Sequence, residues 1–458
     1  MPMFLLLACT GPAPDGSPPL TDVDSAAVPC TSWGYGEPVA VELGVWVPTA
    51  NAGRDCDEGA PANHLEDVTG DGRADVVITG DCADEAVGRD HWLVLPGIDG
   101  GFGPAAIWPL PGGYGATAFE APRDSAECSG GDDLPAWFSG QLDGDGLPDL
   151  VVTESCFDAT PASGIWTVYP NTGAGFGSAT AREVDTRWSN GTFTHPREVF
   201  DCGSGLNIPA WDRLDLDGDG LLDIVLTRSC LDWTIGDTEW EVLHNDGASF
   251  TASRWPVVEA LAMSTLSRAA DTCLDYFLLD VDGDDRPEVI ASQNCTDSGS
   301  WWYVNANTGA GFSTTRQRLS VPWGLAGVLD AAEQRTAQCG AAKPAWIFGD
   351  TDGDGRADLT VTESCTDTSV GDTRWAWWQG GLDGWPLAGT WSLPANWTPG
   401  TFVGSSGAET ACVGTRDIPR WVRHDLDGDG TIELVITQTC DDMDATRWLI
   451  HSPTCLDD

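Results

Sequence analysis

The sequence predicts an all-β fold, and three observations carry this prediction. Its 458 residues include 55 Gly and 29 Pro, which are typical turn residues. Lysine, a common residue of exposed helix surfaces, occurs once, as Lys343. One acidic nine-residue motif recurs six times, and its fifth position repeats about every 70 residues. A period of this size fits a four-stranded unit with its loops, so we expect an array of β-units.

Residues 1–9 resemble a bacterial lipoprotein signal peptide, because Leu6-Leu7-Ala8-Cys9 has the form of a lipobox. The apolar run is short and no basic residue precedes it, so the alternatives are an incidental Cys9 or an upstream start. Residues 10–29 are rich in proline and predict a disordered tether. Residues 30–458 then form a single domain.

Each repeat reads as four antiparallel strands, A to D. The acidic loop follows strand A, and a β-branched run such as Val76–Thr79 follows the loop as strand B. Strand C starts at a tryptophan such as Trp166 and runs into a glycine turn, and strand D follows. Six such units predict a six-bladed β-propeller, whose tryptophans fill the gaps between blades.

The chain ends predict how the ring closes. The last repeat stops after Cys455 without a strand D, whereas residues 33–47 look like the second half of a repeat. We therefore expect the N-terminal strand to complete the sixth blade and to remove its exposed edge.

The cysteines predict disulfides and therefore an oxidising compartment. In repeat four, Cys273 lies seven residues before the acidic loop and Cys295 seven residues after it, at opposed sites of one hairpin. We expect one bond in each blade and one bond that closes the ring. The predicted bonds are Cys56–Cys82, Cys128–Cys156, Cys202–Cys230, Cys273–Cys295, Cys339–Cys365, Cys412–Cys440 and Cys30–Cys455.

The acidic loops predict calcium sites. Carboxylates at positions 1, 3, 5 and 9, with a backbone carbonyl at position 7, match the oxygen ligands that Ca²⁺ prefers. Position 9 runs directly into a strand, which excludes an EF-hand. The candidate ligands are Asp67, Asp71 and Asp75 in loop 1; Asp143, Asp145 and Asp149 in loop 2; Asp215, Asp217, Asp219 and Asp223 in loop 3; Asp280, Asp282, Asp284 and Glu288 in loop 4; Asp350, Asp352, Asp354 and Asp358 in loop 5; and Asp425, Asp427, Asp429 and Glu433 in loop 6.

The six loops are unequal. Thr69 replaces an acid at position 3 of loop 1, Gln141 at position 1 of loop 2, and Asp285 replaces the turn glycine of loop 4. We expect weaker sites there and the tightest binding in loops 3, 5 and 6. The alternative is an acidic turn that its own side-chain-to-backbone hydrogen bonds stabilise without metal.

The Asp-x-Asp-x-Asp-Gly loops and the Gly-x-Gly-Phe turns resemble FG-GAP and VCBS repeats, the calcium-loop blades of integrin α-subunits and of many bacterial surface proteins. The resemblance covers about residues 33–458. It implies calcium in the A–B hairpins of one face and ligand binding by loops of the other face. The count of six blades and the cysteines inside each blade depart from the family pattern.

These observations predict a calcium-stabilised binding or adhesion module at the cell surface. Its expected partner is a protein or a glycan on the B–C loops, where an Asp recurs two residues after the downstream cysteine and Trp233 lies beside one such Asp. The net charge of −49 disfavours nucleic acid and anionic membranes, so the expected membrane link is a lipid on Cys9.

Catalysis is not expected, because no Gly-x-Ser-x-Gly or His-Glu-x-x-His motif occurs and the histidines share no repeat position. The alternatives are a polysaccharide hydrolase or lyase on the same scaffold, and a purely structural surface component. The expected location is outside the cytoplasm, as an outer-membrane or cell-surface lipoprotein or as a secreted protein.

Overall fold

A computed structural model of the protein describes residues 32–456 with internal gaps. The longer gaps are residues 158–163, 203–207, 258–275, 292–300 and 321–332, and the shorter ones are 46, 49, 58, 130–131, 186, 189–190, 198–199, 335–336, 342–343, 383, 396, 398–399, 405, 408–410, 414–415 and 442–445. Among the described residues, no helix has the length and apolar content that a membrane span requires. The predicted leader and tether lie outside the described residues.

Six antiparallel sheets form a ring, which confirms the six-bladed β-propeller. The strands, in the order A to D, are Ala62–Glu66, Asp75–Gly80, His91–Leu95 and Ala106–Pro109 in blade 1; Ala136–Gly140, Asp149–Glu154, Ile165–Tyr169 and Thr180–Glu183 in blade 2; and Ala210–Leu214, Asp223–Arg228, Glu239–Asn245 and Phe250–Pro256 in blade 3. Blade 4 has Tyr276–Leu279, Glu288–Ala291, Trp301–Asn305 and Gln317–Ser320; blade 5 has Ala345–Gly349, Asp358–Glu363, Arg374–Trp378 and Leu387–Ser392; and blade 6 has Arg420–His424, Glu433–Gln438, Arg447–His451 and Val39–Glu42.

Short elements decorate the blades. Among the described residues they are the hairpins Gly97–Ile98 with Gly101–Phe102, Glu127–Ser129 with Asp132–Leu134, and Ala411–Val413 with Arg416–Ile418; the edge strands Glu333–Gln334 and Ser406–Gly407; and the 3₁₀ turn Cys339–Ala341.

Strand B is the buried strand of each blade, as its β-branched run predicts. All six residues of Asp75–Gly80 and of Glu433–Gln438 are buried. Every strand B begins at position 9 of its acidic loop and pairs there with the last residue of strand A, as in Gly349↔Asp358. The loop is therefore a hairpin at one end of the blade, and the B–C loop lies at the opposite end.

Aromatic pairs join neighbouring blades. The tryptophan of strand C is fully buried and contacts the aromatic residue in the C–D turn of the next blade. The pairs are Trp92–Phe176, Trp166–Phe250, Trp240–Phe312, Trp302–Trp385, Trp375–Tyr35 and Trp448–Phe102, with ring centroids 5.3–5.9 Å apart. The tryptophans therefore fill the gaps between blades, as the sequence predicts.

The N-terminal segment closes the ring by completing blade 6, and its first strand also contacts the edge of blade 5. Val39–Glu42 pairs with Arg447–His451 and supplies strand D of blade 6, as expected. Ser32–Tyr35 pairs antiparallel with Pro453–Cys455, which follows strand C of blade 6, and it also runs parallel to Leu387–Ser392 of blade 5. Tyr35 packs on Trp375 of blade 5, as the turn aromatic of each other blade packs on the strand-C tryptophan of the blade before it. Ser32–Tyr35 therefore belongs to the C–D turn of blade 6, and the expectation that the N-terminal segment completes this blade is confirmed.

Five of the predicted disulfides are confirmed, each within one blade. The bonds Cys56–Cys82, Cys128–Cys156, Cys202–Cys230, Cys339–Cys365 and Cys412–Cys440 have Cα–Cα distances of 5.2–5.7 Å. Each links the segment before strand A to the segment after strand B, on the face opposite the acidic loops. Cys455 is also disulfide-bonded, while Cys30, Cys273 and Cys295 lie outside the described residues.

We predict that Cys273 bonds Cys295 and that Cys455 bonds Cys30, because the other cysteines of the repeats are already paired. Non-reducing peptide mapping should recover both peptides from the folded protein after thiol blocking. Recovery of any of these four cysteines in a disulfide with a cysteine of another blade would contradict the repeat arrangement.

Candidate metal sites and the opposite loop face

The acid at position 1 organises the backbone of its own loop. In loop 5, Asp350 Oδ1 accepts hydrogen bonds from the amides of Gly353 (2.8 Å) and Asp354 (3.2 Å), and Oδ2 accepts one from Gly355 (2.8 Å). The same pattern recurs at Asp67, Asp215 and Asp280. Both oxygens of position 1 therefore have backbone donors, which the sequence pattern alone does not show.

Position 5 closes a short turn in every loop. Its Oδ1 accepts the amide of position 7 at 2.8–3.0 Å, in the Asx-turn arrangement. The six acids are Asp71, Asp145, Asp219, Asp284, Asp354 and Asp429. The second oxygen of this side chain can make another contact, as Asp284 Oδ2 does with Arg286 and Asp354 Oδ2 does with Gln379.

Position 9 ties the acidic loop to the C–D turn of its own blade. Asp358 Oδ2 accepts the amide of Thr351 (3.0 Å) and Oδ1 that of Gly380 (2.8 Å). Asp75 makes the equivalent bonds to Val68 and Gly97. These carboxylates are fully buried, so they hold the fold as well as offering a ligand oxygen.

Neighbouring acidic loops contact each other directly. The amide of Ala357 in loop 5 donates to the carbonyl of Asp280 in loop 4 (2.7 Å), and Ala74 in loop 1 donates to Leu426 in loop 6 (3.2 Å). The C–D turn adds a second link, since Asn307 Nδ2 donates to the carbonyl of Leu216 in loop 3 (2.8 Å). The acids are thus packed in a connected ring, where like charges raise each other's free energy.

Several carboxylate oxygens in these loops are buried and have no hydrogen-bond donor. At position 3 they are Asp217 Oδ1, Asp282 Oδ1 and Asp352 Oδ1, and at position 9 they are Asp149 Oδ2 and Glu433 Oε1. A buried acceptor without a partner costs free energy that a cation would recover. The donor set therefore fits a hard cation with oxygen ligands such as Ca²⁺.

The structure brings three or more predicted ligands together in four loops, with ligand atoms within 4.8 Å of one another. The groups are Asp215, Asp217 and Asp219 in loop 3; Asp280, Asp282 and Glu288 in loop 4; Asp350, Asp352 and Asp358 in loop 5; and Asp425, Asp427 and Glu433 in loop 6. In loop 3, Asp217 and Asp223 also belong to a second group. The position-5 acids Asp284, Asp354 and Asp429 are not part of these groups.

Among the described residues, loops 1 and 2 bring no such group together. Thr69 replaces the free acid of position 3 in loop 1. In loop 2, Gln141 Oε1 takes over the backbone contacts to Asp143 and Gly144 (both 3.2 Å), while its Nε2 donates to Asp145 Oδ1 (3.4 Å). An amide that already donates to a candidate ligand competes with a cation, so these two loops suit one less well.

Loop 4 keeps the loop geometry despite its missing glycine. Asp285 adopts a φ of 64°, and its amide still donates to Asp280 Oδ2 (2.8 Å). Aspartate tolerates this left-handed region better than most residues. The substitution therefore leaves the arrangement of loop 4 intact.

Burial raises the pKa values of the position-9 acids. It raises the pKa of Asp75 to about 6, of Asp149 to about 7, and of Glu288, Asp358 and Glu433 to about 8. The cause is desolvation of the ionised carboxylate, and neighbouring acids of the same loop add to it. A bound cation would favour the ionised form.

Two further side chains face the acidic loops. His244 Nδ1 lies 3.0 Å from Asp217 Oδ2, and the two acids around this ring raise the pKa of His244 to about 9. In blade 5, Gln379 Nε2 donates to Asp354 Oδ2 (2.6 Å). Both residues stand four positions after the strand-C tryptophan, and this shared spacing is the signal that could have found them.

On the opposite face, three of the recurrent B–C aspartates close turns. Asp84, Asp232 and Asp367 each accept, through Oδ1, the amide two residues onward at 2.9–3.0 Å. Hydrogen bonds lower the pKa values of Asp232 and Asp367, with Thr234 and Ser369 as the first donors. These acids therefore shape the loops, whereas Asp158, Asp297 and Asp442 lie outside the described residues.

The same face carries the exposed aromatic side chains. Among the described residues, Phe157 (68% exposed) and Trp233 (65%) are the exposed aromatics, and Leu231 lies beside the latter at 52%. They stand on the B–C loops of the adjacent blades 2 and 3. Phe157 also lines a pocket of about 220 Å³ together with Tyr114, Asp133 and Ser155.

Comparisons with known proteins show no family for the chain. No family model and no curated protein matches the chain. Among solved structures, the Tc holotoxin pore of Photorhabdus luminescens matches at 15% identity and a TM-score of 0.49, covering 91% of this chain and 14% of that chain. BBS1N in complex with ARL6DN matches at 12% and 0.30 (91% and 98% covered), and a Dos1 propeller at 9% and 0.27 (86% and 79% covered). At these values the likenesses carry no argument about function.

Proposed function

We propose that the protein is an exported, calcium-stabilised binding module that recognises a protein or glycan partner on its B–C loop face. The observation that carries the proposal is the division of the two faces. On one face, some carboxylate oxygens of the acidic loops accept backbone hydrogen bonds, and others are buried without a hydrogen-bond donor. On the other, disulfide-braced loops expose aromatic side chains to solvent.

Calcium would be held by loops 3 to 6, where the structure groups three or more acids. In loops 3, 4 and 5, position 3 offers a buried, unpartnered oxygen, and in all four loops position 9 offers a buried carboxylate at the base of the loop. When bound, the ion supplies positive charge that offsets the repulsion within the acidic ring. We propose weaker binding at loops 1 and 2, because Thr69 and Gln141 remove one carboxylate from each.

The ligand surface is proposed around Phe157 and Trp233. Stacking a sugar ring or an apolar side chain on a large exposed aromatic side chain removes apolar surface from water, which favours binding. The pocket beside Phe157 offers a concave surface next to it. Disulfides Cys128–Cys156 and Cys202–Cys230 fix both loops, and this lowers the conformational entropy lost on binding.

Binding is favoured over polysaccharide cleavage by the chemistry of that pocket. Glycoside hydrolysis generally uses two carboxylates on either side of the bond. Among the described residues that line this pocket, the carboxylate is Asp133, which is 3% exposed and accepts hydrogen bonds from Ser155 Oγ (2.5 Å) and the amide of Cys156 (2.9 Å). It is already committed to the loop backbone, so we propose that the ligand is bound and not cleaved.

The proposed location and ancestry follow from the same features. Disulfides in five blades support an oxidising compartment outside the cytoplasm. We propose that the blades are divergent FG-GAP or VCBS repeats, on the strength of the acidic motif and the propeller fold. A lipid on Cys9 remains part of this proposal.

The ligand face can be tested with a screen of glycans and surface proteins, with and without calcium. We predict that Trp233→Ala and Phe157→Ala each weaken the strongest hit at least roughly fivefold, since each removes one exposed aromatic contact. Binding is measured by surface plasmon resonance on the calcium-loaded chain.

Ile107→Ala is the matched control, because Ile107 is equally exposed (67%) but lies on an outer strand D. Asp232 is unsuitable for this test, since its carboxylate closes a turn and pairs with Arg254 (3.0 Å). Equal affinities for the wild-type chain and both aromatic variants would place the ligand surface elsewhere.

A further inference from the structure

One acidic loop differs from the others because a histidine faces it. His244 lies in strand C of blade 3, four residues after the buried Trp240. The same position carries Pro96, Pro170, Ala306, Gln379 and Ser452 in the other blades. An imidazole therefore faces an acidic loop at this position in blade 3 alone.

The side chains around His244 converge on one point. Nδ1 lies 3.0 Å from Asp217 Oδ2 and 3.6 Å from Asp223 Oδ2, and the three ligand atoms are within 4.8 Å of one another. Asp223 is fully buried, while Asp217 and His244 are each 23% exposed. The other oxygen of Asp217 is buried and has no hydrogen-bond donor. One nitrogen and two carboxylates thus share a half-buried site.

The surrounding residues fix the imidazole ring. His244 Nε2 lies 2.8 Å from Ser253 Oγ on strand D and 3.1 Å from Trp255 Nε1. The Trp255 ring also packs against the imidazole, with centroids 5.6 Å apart. A hydroxyl that accepts the proton of the far nitrogen, as Ser253 Oγ can, orients histidines that bind metals.

We propose that loop 3 and His244 form a Zn²⁺ site, with His244 Nδ1, Asp217 and Asp223 as protein ligands. The proposal rests on the cation-binding role proposed for the acidic loops and adds a different selectivity to one of them. Imidazole nitrogen is a good ligand for Zn²⁺ and a poor one for Ca²⁺, which prefers oxygen. The ring proton then sits on Nε2, where Ser253 Oγ can accept it, and Trp255 Nε1 loses that acceptor.

The competing arrangement is a metal-free ion pair, in which a protonated His244 neutralises the two carboxylates. It predicts no zinc binding that depends on His244. The two arrangements are separated by titrating metal ions rather than by measuring stability alone, because either could stabilise blade 3.

The test is isothermal titration of the calcium-loaded full chain with Zn²⁺, in which Zn²⁺ should displace calcium from loop 3 while calcium fills loops 4 to 6. The wild-type chain should bind one Zn²⁺ at least roughly tenfold more tightly than His244→Gln, a variant that copies the residue found in blade 5. Gln379→His should create a second zinc site in loop 5, and His91→Gln should leave zinc binding unchanged. Co²⁺ serves as a spectroscopic probe, since visible absorption of the bound ion should change in the His244→Gln variant.

The outcomes are distinct. Equal zinc affinity in the wild-type chain and His244→Gln overturns the zinc site, whatever calcium does. Calcium binding without His244-dependent zinc binding leaves the proposed function standing alone. Zinc binding through His244 without any effect of calcium on the chain supports the zinc site and contradicts the calcium proposal. The melting temperature and far-UV circular dichroism of each variant establish that it is folded.

Discussion

Removal of calcium is expected to lower the melting temperature of the protein by on the order of 10 °C. Ions that bind the native chain alone stabilise it by mass action, about 2.7 kcal/mol for each site at a hundredfold excess over Kd. Four filled sites would contribute roughly 11 kcal/mol. A chain of this size unfolds with an entropy near 0.9 kcal/mol/K, which converts that energy to the stated shift. Differential scanning calorimetry before and after chelation measures it.

Position 3 offers the matched variants for this experiment. Asp217→Asn, Asp282→Asn and Asp352→Asn together remove the charge of the three position-3 carboxylates that have a buried oxygen without a donor, while keeping their shape. The triple variant should lose most of the response to calcium and should be at least as stable as the wild-type chain once both are chelated. Asp84→Asn, on the opposite face, is the control with one charge removed from a turn aspartate.

Salt provides a second control, because screening alone also relieves repulsion between exposed charges. Raising ionic strength with sodium chloride should recover only a small part of the lost stability, since the position-9 acids are fully buried. A melting temperature that chelation leaves unchanged at low ionic strength would show that backbone hydrogen bonds alone hold these loops. The metal-free acidic turn, the alternative interpretation of the motif, would then be correct.

The sequence predicts the repeating parts of this fold because each is local to one unit. Every strand B begins at position 9, and the two cysteines of each unit flank the hairpin of strands A and B, as Cys56 and Cys82 do. Six copies of the pattern reveal which residue positions recur, even though single copies differ in sequence. The turn aromatic was recognisable even as Tyr35, where the consensus has phenylalanine.

Features that depend on contacts between units could not be predicted in this way. Ser32–Tyr35 pairs with blade 5 because of its position in the closed ring, which no local pattern encodes. The link from Asn307 to the carbonyl of Leu216 spans two blades. In the sequence, Asn307 reads only as a turn residue.

The candidate metal sites show the same limit. The motif identifies which residues carry carboxylates but not which oxygens are already in use. Both oxygens of Asp350 accept hydrogen bonds from the loop backbone, whereas Asp352 has a buried oxygen without a donor. His244 joins loop 3 from a different strand, so spacing within the loop could not reveal it.

The aromatic joints imply a second large effect, at the seam where the ring closes. Trp448 is fully buried, packs edge-on against Phe102 of blade 1 at 5.6 Å, and donates from Nε1 to the carbonyl of Val47 (2.9 Å). It therefore contacts blade 1 and the N-terminal segment at once. Removing so large a side chain leaves a cavity, and it also leaves the buried carbonyl of Val47 without this donor.

We expect Trp448→Ala to lower the free energy of unfolding by about 3–5 kcal/mol, measured by urea denaturation of the calcium-loaded chain with intrinsic fluorescence and circular dichroism. Trp233→Ala makes the same chemical change at a site that is 65% exposed, so it should alter stability by less than about 0.5 kcal/mol.

Trp166→Ala removes the equivalent residue at the joint of blades 2 and 3, away from the seam. If packing of the tryptophan contributes more than the chain connection between blades, Trp448→Ala and Trp166→Ala should lower the free energy of unfolding by similar amounts. A larger decrease in the free energy of unfolding for Trp448→Ala would show that the ring depends most on packing at the seam. A decrease below about 1 kcal/mol for both variants would contradict the role of the tryptophans in holding the blades together.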